Sequence, residues 1–397
     1  MKDPQMIVKR RYELDWLRVL AILAVFVYHT SLIFAPDPYQ IKNTVTYGFL
    51  DDLGGFGGTW GMPLIFLISG ASVYFTLGKV RAGTFLKGMI LRLLVPLGVC
   101  IFTHAAWQVY LERLQTGGFR GSFLEFVPHY FEGMYGFGGN FAWMGMHLWY
   151  LEALFLFSLL CLPLFLWLKG HPAGRWLLQR AGDALARPGT LYLLALPAYV
   201  LINVLDPDTW GMDAIGGWSM FIYLTFFVSG FVIYSNARLQ DRIRRARWVS
   251  LVAGIVLWAG IDPLWGALGD PTFGTLAFAL GIGAWCLNAW CWLLAILGFG
   301  MQHLTARTPF LAYANEAVLP FYILHQTAIL TLAFPVVQWP IPDGLKFALI
   351  LGGSFLVSMG VYEGLVRRRN VLRFLFGMKP LPRRAAEPRA LLAAQQA

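Results

Sequence analysis

Charge is what this sequence has least of. Only 13% of its 397 residues are Asp, Glu, Lys or Arg, whereas 58% are hydrophobic. A soluble domain carries about 25% charged residues. A water-soluble fold of this composition would be left with an apolar exterior, so much of the surface must face lipid. Cysteine is also scarce. Cys100, Cys161, Cys286 and Cys291 lie inside apolar runs, and none stands at zinc-ligand spacing from a histidine. Neither a disulfide framework nor a metal site is expected. Acidic residues number 21 against 31 basic ones. That surplus does not point to nucleic acid, because the basic residues fall in short loops between apolar runs.

What is present is a series of ten apolar runs: 17–35, 57–77, 89–111, 147–168, 190–205, 216–234, 248–265, 274–299, 313–334 and 345–366. About 20 helical residues cross a hydrocarbon core. The first run follows a basic start (Lys9, Arg10, Arg11) but is too long for a signal-peptide core and lacks a small-residue cleavage site, so it is read as a retained helix. If the chain starts inside and alternates, 25 of the 31 basic residues fall in inner segments and three in outer ones. The expectation is an all-α integral membrane bundle of about ten transmembrane helices, with both termini cytoplasmic. Residues 1–378 read as one domain and 379–397 as a disordered tail. The longest loop, 112–146, is rich in Gly and aromatics and is a candidate cap over a cavity. Ile68-Ser69-Gly70 is echoed by Val228-Ser229-Gly230, which reads as a shared packing notch.

Ionisable groups inside a membrane are costly and mark sites facing the bundle interior. Arg18 and His29 share the first run. Eleven residues place them about 20° apart around the helix and roughly 16 Å apart along it. The plainer reading is a snorkelling arginine and a buried histidine bonded to a neighbour. Arg92 opens the third run near Pro96, with the same plainer reading. Glu152 lies about 7 Å below the start of the fourth run, at a depth similar to His29. Tyr322 and His325 are neighbours at i and i+3 on the ninth. Glu363 and Arg367 form an i, i+4 pair at the end of the tenth, which a juxtamembrane ion pair explains. Two layers result. His29, Glu152, Tyr322 and His325 can converge in the outer half, while Arg18, Arg92 and Glu363 lie toward the inner face. Basic groups at an inner mouth suit a phosphorylated ligand, and a histidine with a carboxylate suits proton abstraction from a hydroxyl.

Leu14-Asp15-Trp16-Leu17-Arg18, ten further residues and then His29 resemble the opening of the acyltransferase family 3 membrane proteins. That family includes glucan succinyltransferases and polysaccharide O-acetyltransferases of bacterial envelopes. Phe66-Leu67-Ile68-Ser69-Gly70, Arg92 to Pro96, His147-Leu148-Trp149-Tyr150-Leu151, Leu319 to His325 and the Glu363 end resemble later family motifs, in order. Met89 stands where the family often has a first arginine, and Lys87 is the nearby cation.

The resemblance implies transfer of an acetyl or succinyl group from cytoplasmic acyl-CoA to a hydroxyl of an envelope glycan or similar acceptor. The setting would be the bacterial inner membrane. It implies His29, Glu152 and His325 as catalytic, and Arg18, Arg92, Ser69, Tyr322 and Glu363 as binding the donor. Neither a metal nor nucleic acid is called for. The competing expectation is a proton-coupled secondary transporter, since intramembrane His and Glu also suit a proton relay.

Overall fold

A computed structural model describes residues 10–206, 217–269 and 271–381. In chain order its helices are α1 (Tyr12–Ser31), α2 (Gly48–Leu77), α3 (Ala82–Gln115), α4 (Phe123–His129), α5 (Trp149–Gly170), α6 (Pro172–Leu185), α7 (Leu196–Val204), α8 (Met220–Ser235), α9 (Ala237–Leu268), α10 (Leu276–His303), α11 (Pro309–Val336), α12 (Asp343–Val361) and α13 (Asn370–Leu375). Helices suit lipid because they satisfy every backbone polar group internally.

Each of the ten apolar runs falls on a helix. Among the described residues eight helices are long and apolar enough to cross a membrane: α1, α2, α3, α5 and α9 through α12. The fifth and sixth runs form shorter apolar helices, Thr190–Val204 and Met220–Ser235. The 16 residues of α8 rise about 24 Å, against a hydrocarbon core of about 30 Å. The fold is therefore an all-helical, multi-pass membrane bundle with eight full-length candidate spans.

Several helices outrun their apolar stretch. α2 starts at Gly48 rather than 57, and α9 starts at Ala237 rather than 248. Hydropathy marks only the apolar part, whereas backbone bonding continues into a polar flank until a cap ends it. The Asn236 side chain accepts from the Arg238 and Leu239 amides to start α9. Gly269, at φ 65°, closes that helix. Asp262-Pro263 does not end it. Thr308 caps α11 by accepting from the Leu311 amide at 3.0 Å, with Pro309 in the first turn.

The two Ser-Gly echoes prove to be partners. A Cβ on Gly70 would lie 1.8 Å from the Phe227 carbonyl oxygen, and one on Gly230 would lie 1.9 Å from that of Leu67. α2 and α8 thus meet backbone to backbone at a reciprocal small-residue notch.

α3 is built differently. Pro96 removes one amide donor, and two π-helical stretches, Ile90–Leu94 and Ile101–Ala105, flank the turn that holds it. Arg92 sits in the first stretch. The chain after α12 folds back beside it. Arg373, 6% exposed, donates to Glu316 on α11 at 2.8 Å and to the Lys379 carbonyl at 2.6 Å. Gly377 approaches so closely that a Cβ there would lie 2.5 Å from the Arg92 carbonyl oxygen. From residue 382 onward, the segment expected to be a disordered tail lies outside the described residues.

At the other end of α1, loops are pinned by two lysines, Lys42 half-buried and Lys346 buried. The Lys42 ammonium donates to the carbonyls of Leu32, Ala35 and Asp37. Lys346 donates to Asn43 Oδ1 at 3.1 Å and to the Val337 carbonyl at 3.0 Å. The 112–146 loop is ordered too. Gly133, Gly136, Gly138 and Gly145 adopt positive φ, and the Phe141 amide donates to the Gly133 carbonyl across a small hairpin.

Candidate active site

The site begins with α1 and α11, which pack along each other. Their periodicity turns His29 toward His325, and His29 Nδ1 lies 3.0 Å from His325 Nε2. The two rings are parallel within 4°, with centroids 5.2 Å apart. Phe26 and Phe321 wall the His325 ring, which has no solvent exposure.

The partners fix the proton positions. A carbonyl oxygen can only accept, so His325 Nδ1, 2.7 Å from the Tyr322 carbonyl, must carry a hydrogen. Neutral His325 then offers Nε2 as an acceptor, and His29 donates to it from Nδ1. The lone pair of His29 is left on Nε2. One backbone carbonyl has thereby determined which nitrogen of His29 is basic.

Sequence reasoning noted His147 within a motif but gave it no role. The structure brings it into the cluster. Its ring meets that of His325 edge-on, with centroids 5.1 Å apart. His147 Nε2–H donates to the Tyr322 carbonyl at 3.0 Å, and the Tyr322 hydroxyl donates back to the His147 carbonyl. α11 and the start of α5 are cross-linked through this pair. His147 Nδ1 is buried without a partner. The Gln326 side chain stands within hydrogen-bonding reach of the His29 ring.

A second layer lies toward the start of α1. Arg18 donates to Ser72 Oγ at 2.8 Å and to Asn315 Oδ1 at 3.3 Å, which holds it between α2 and α11. Asp15 stands 3.6 Å from it. Tyr150 donates to Ser69 Oγ at 2.6 Å, since the Ser69 hydroxyl is itself spent on the Ile65 carbonyl. Arg92 is exposed and makes no hydrogen bond or ion pair among the described residues. It is nonetheless deep enough in the bundle for Arg18 and Tyr150 to be its electrostatic neighbours. The layers touch where the Tyr150 and Tyr322 rings meet edge-on, centroids 6.1 Å apart.

His29, His325 and Tyr322 therefore converge, as do Arg18, Arg92 and, through Tyr150, Ser69. Two expected members stand elsewhere. His29 takes its hydrogen-bond partner from His325, not from Glu152, whose Oε2 is buried without a partner. Two residues separate Glu152 from Tyr150, about 200° around α5, so it faces away from the cluster. Glu363 is held by Arg367 at 2.9 and 3.0 Å and receives the Tyr313 hydroxyl at 3.3 Å. That is a local ion pair. Both polar groups of Tyr322 are engaged within the histidine cluster, so its placement is that of a framework rather than a donor contact. Among the described residues no three His, Cys, Asp or Glu side chains are disposed to hold a metal ion.

Comparison with known proteins gives the family of the chain. The family model for acyltransferase family 3, described as an acyltransferase domain, matches residues 11–363, from just before α1 to Glu363. A curated relative, glucans biosynthesis protein C of Shigella dysenteriae serotype 1 (strain Sd197), is 22% identical over 404 residues. The alignment covers 95% of this chain and 96% of that protein. No solved structure matches.

Proposed function

The chain belongs to acyltransferase family 3, and from that membership we propose that it moves an acetyl or succinyl group from cytoplasmic acyl-CoA to a hydroxyl of an envelope glycan. The observation that carries the reading is the chain from the Tyr322 carbonyl through His325 to His29. It leaves a lone pair on His29 Nε2 and an acceptor behind Nδ1.

In this reading the two short helices complete ten crossings, both termini are cytoplasmic, and the membrane is the bacterial inner one. Arg18 and Arg92 meet the donor's phosphates at the inner mouth. Its extended arm covers the roughly 16 Å to His29. His29 Nε2 takes the proton of the acceptor hydroxyl as its oxygen attacks the thioester carbonyl. The C–S bond breaks, and the departing CoA thiolate is protonated by the imidazolium. His325 Nε2 accepts the Nδ1–H of that imidazolium, so it orients the ring and stabilises its charge, the task a carboxylate has in other His-centred sites. In a variant of the scheme Nε2 attacks the thioester and the C–S bond breaks to expel the CoA thiolate; the acceptor oxygen then takes the acyl group from Nε2 as its proton passes to that thiolate. The name of the relative, glucans biosynthesis protein C, supports a glucan as the acceptor class.

The test uses purified protein with radiolabelled acetyl-CoA or succinyl-CoA and an envelope-glycan extract. Label is expected in the glycan with wild type and not with His29→Ala. Undiminished transfer by His29→Ala would overturn the assignment. Proton-coupled flux without any transfer would favour a transporter.

A further inference from the structure

Two buried polar atoms on the loop that follows α1 have no partner among the described residues. The Tyr39 ring lies 6.5 Å from that of His29, centroid to centroid. Tyr39 Oη and Gln40 Oε1 are both shut away from solvent and unpaired among the described residues. Native proteins rarely leave such atoms unsatisfied, because burial removes their water without replacing it.

The two groups sit on a loop held rigidly in place. Lys42 fastens that loop to the end of α1, and Asn43 is tied to Lys346. The facing surface comes from the glycine-rich hairpin. Tyr135 lies against Gln40 and Tyr39, and its hydroxyl donates to Glu112 Oε2 at 2.7 Å. Arg113 braces the hairpin by donating to Asn140 Oδ1 at 2.8 Å and to the Gly139 carbonyl at 3.0 Å. Gly139 makes the fold of this hairpin possible, since a Cβ there would lie 2.1 Å from the Gly133 carbonyl carbon.

We propose that the seam between Tyr39-Gln40 and Tyr135, roofing His29, is the acceptor subsite and takes a neutral sugar ring. This assignment rests on the acyltransferase reading above. Flat phenol rings offer faces to a pyranose. An amide oxygen and a phenol match vicinal hydroxyls, which donate and accept at once. Glu112 is ion-paired with Arg113 at 2.9 Å, so this wall is close to neutral and suits an uncharged ring. Burial and the Glu112 carboxylate push the Tyr135 phenol up from its ordinary value, and burial does the same for Tyr39. Both hydroxyls therefore keep their protons. A sugar seated there would satisfy Tyr39 and Gln40 and present a hydroxyl to His29.

The experiment measures binding of cellopentaose, a neutral glucan oligosaccharide, to the full chain in lipid nanodiscs. Trigalacturonate serves as the anionic control, and melting is followed alongside. Wild type should bind cellopentaose and reject trigalacturonate. Gln40→Leu and Tyr39→Phe should each weaken binding on the order of tenfold, the worth of one buried hydrogen bond. Their melting temperatures should hold or rise, because each removes a buried unpaired polar atom in the free protein. A purely structural role would lower them instead. Unchanged cellopentaose affinity in both variants, or no binding by wild type, overturns the subsite. Intact sugar binding without any acyl transfer leaves the subsite standing and overturns the enzymatic reading alone.

Discussion

His29 and His325 share one proton, and the structure assigns it to His29. The Tyr322 carbonyl occupies His325 Nδ1 at 2.7 Å, so the 3.0 Å contact between the rings is donated by His29. A residue at His325 therefore serves only if it can accept. His325→Gln offers an amide oxygen and should retain part of the activity, whereas His325→Leu should lose about 10²- to 10⁴-fold in kcat. Single-turnover transfer rates with both variants check this. Equal losses would mean that the acceptor property is irrelevant.

The same geometry sets the sign of the pH dependence. A general base must be unprotonated, so transfer should be lost as pH falls and reach a plateau as it rises, with an acid limb approaching tenfold per pH unit. A full pH–rate profile checks this, and transfer undiminished at low pH would rule out a histidine base.

Arg18 is held in a fork by Ser72 and Asn315, which a lysine cannot reproduce. Arg18→Lys should raise KM for the acyl donor on the order of tenfold. Arg92 has no bonded partner among the described residues. Arg92→Ala should therefore raise the same KM while leaving the melting temperature within a degree or two of wild type. A fall in stability without a change in KM would assign Arg92 to the scaffold instead.

The notch between α2 and α8 makes a prediction about stability alone. Gly70→Ala or Gly230→Ala drives a methyl into a backbone carbonyl and should cost at least about 1–3 kcal/mol. Both changes together should cost less than the sum of the two, since the first already separates the helices. Denaturant titration in detergent, read by Trp fluorescence, gives the comparison.

Much of this site was legible in the sequence because helical period is legible. Eleven residues align Arg18 with His29, and three align Tyr322 with His325. The Ser-Gly echo was read correctly as packing, although only coordinates showed the two notches meeting each other. Partner choice was not legible. Chemistry and depth point to Glu152, but depth says nothing about helix rotation, and about 200° turns it away from Tyr150. The sequence gives His147 no role because it stands at the rim of an apolar run, in a 3₁₀ turn whose reach a straight helix does not give. The unpartnered Tyr39 and Gln40 had no sequence signal, because burial of a loop depends on the second loop that covers it.

The Gly70–Gly230 contact also has a mechanical meaning. Where two backbones touch with no side chain between them, there is no compressible layer, so α2 and α8 move as one body. That body carries Ser69 and Ser72, the anchors of Tyr150 and Arg18. Facing it, α3 has Pro96 and two stretches outside the regular ladder, one of which carries Arg92. Between Arg18 and His29 the bundle thus has one stiff wall and one pliant wall, and any widening there falls to α3.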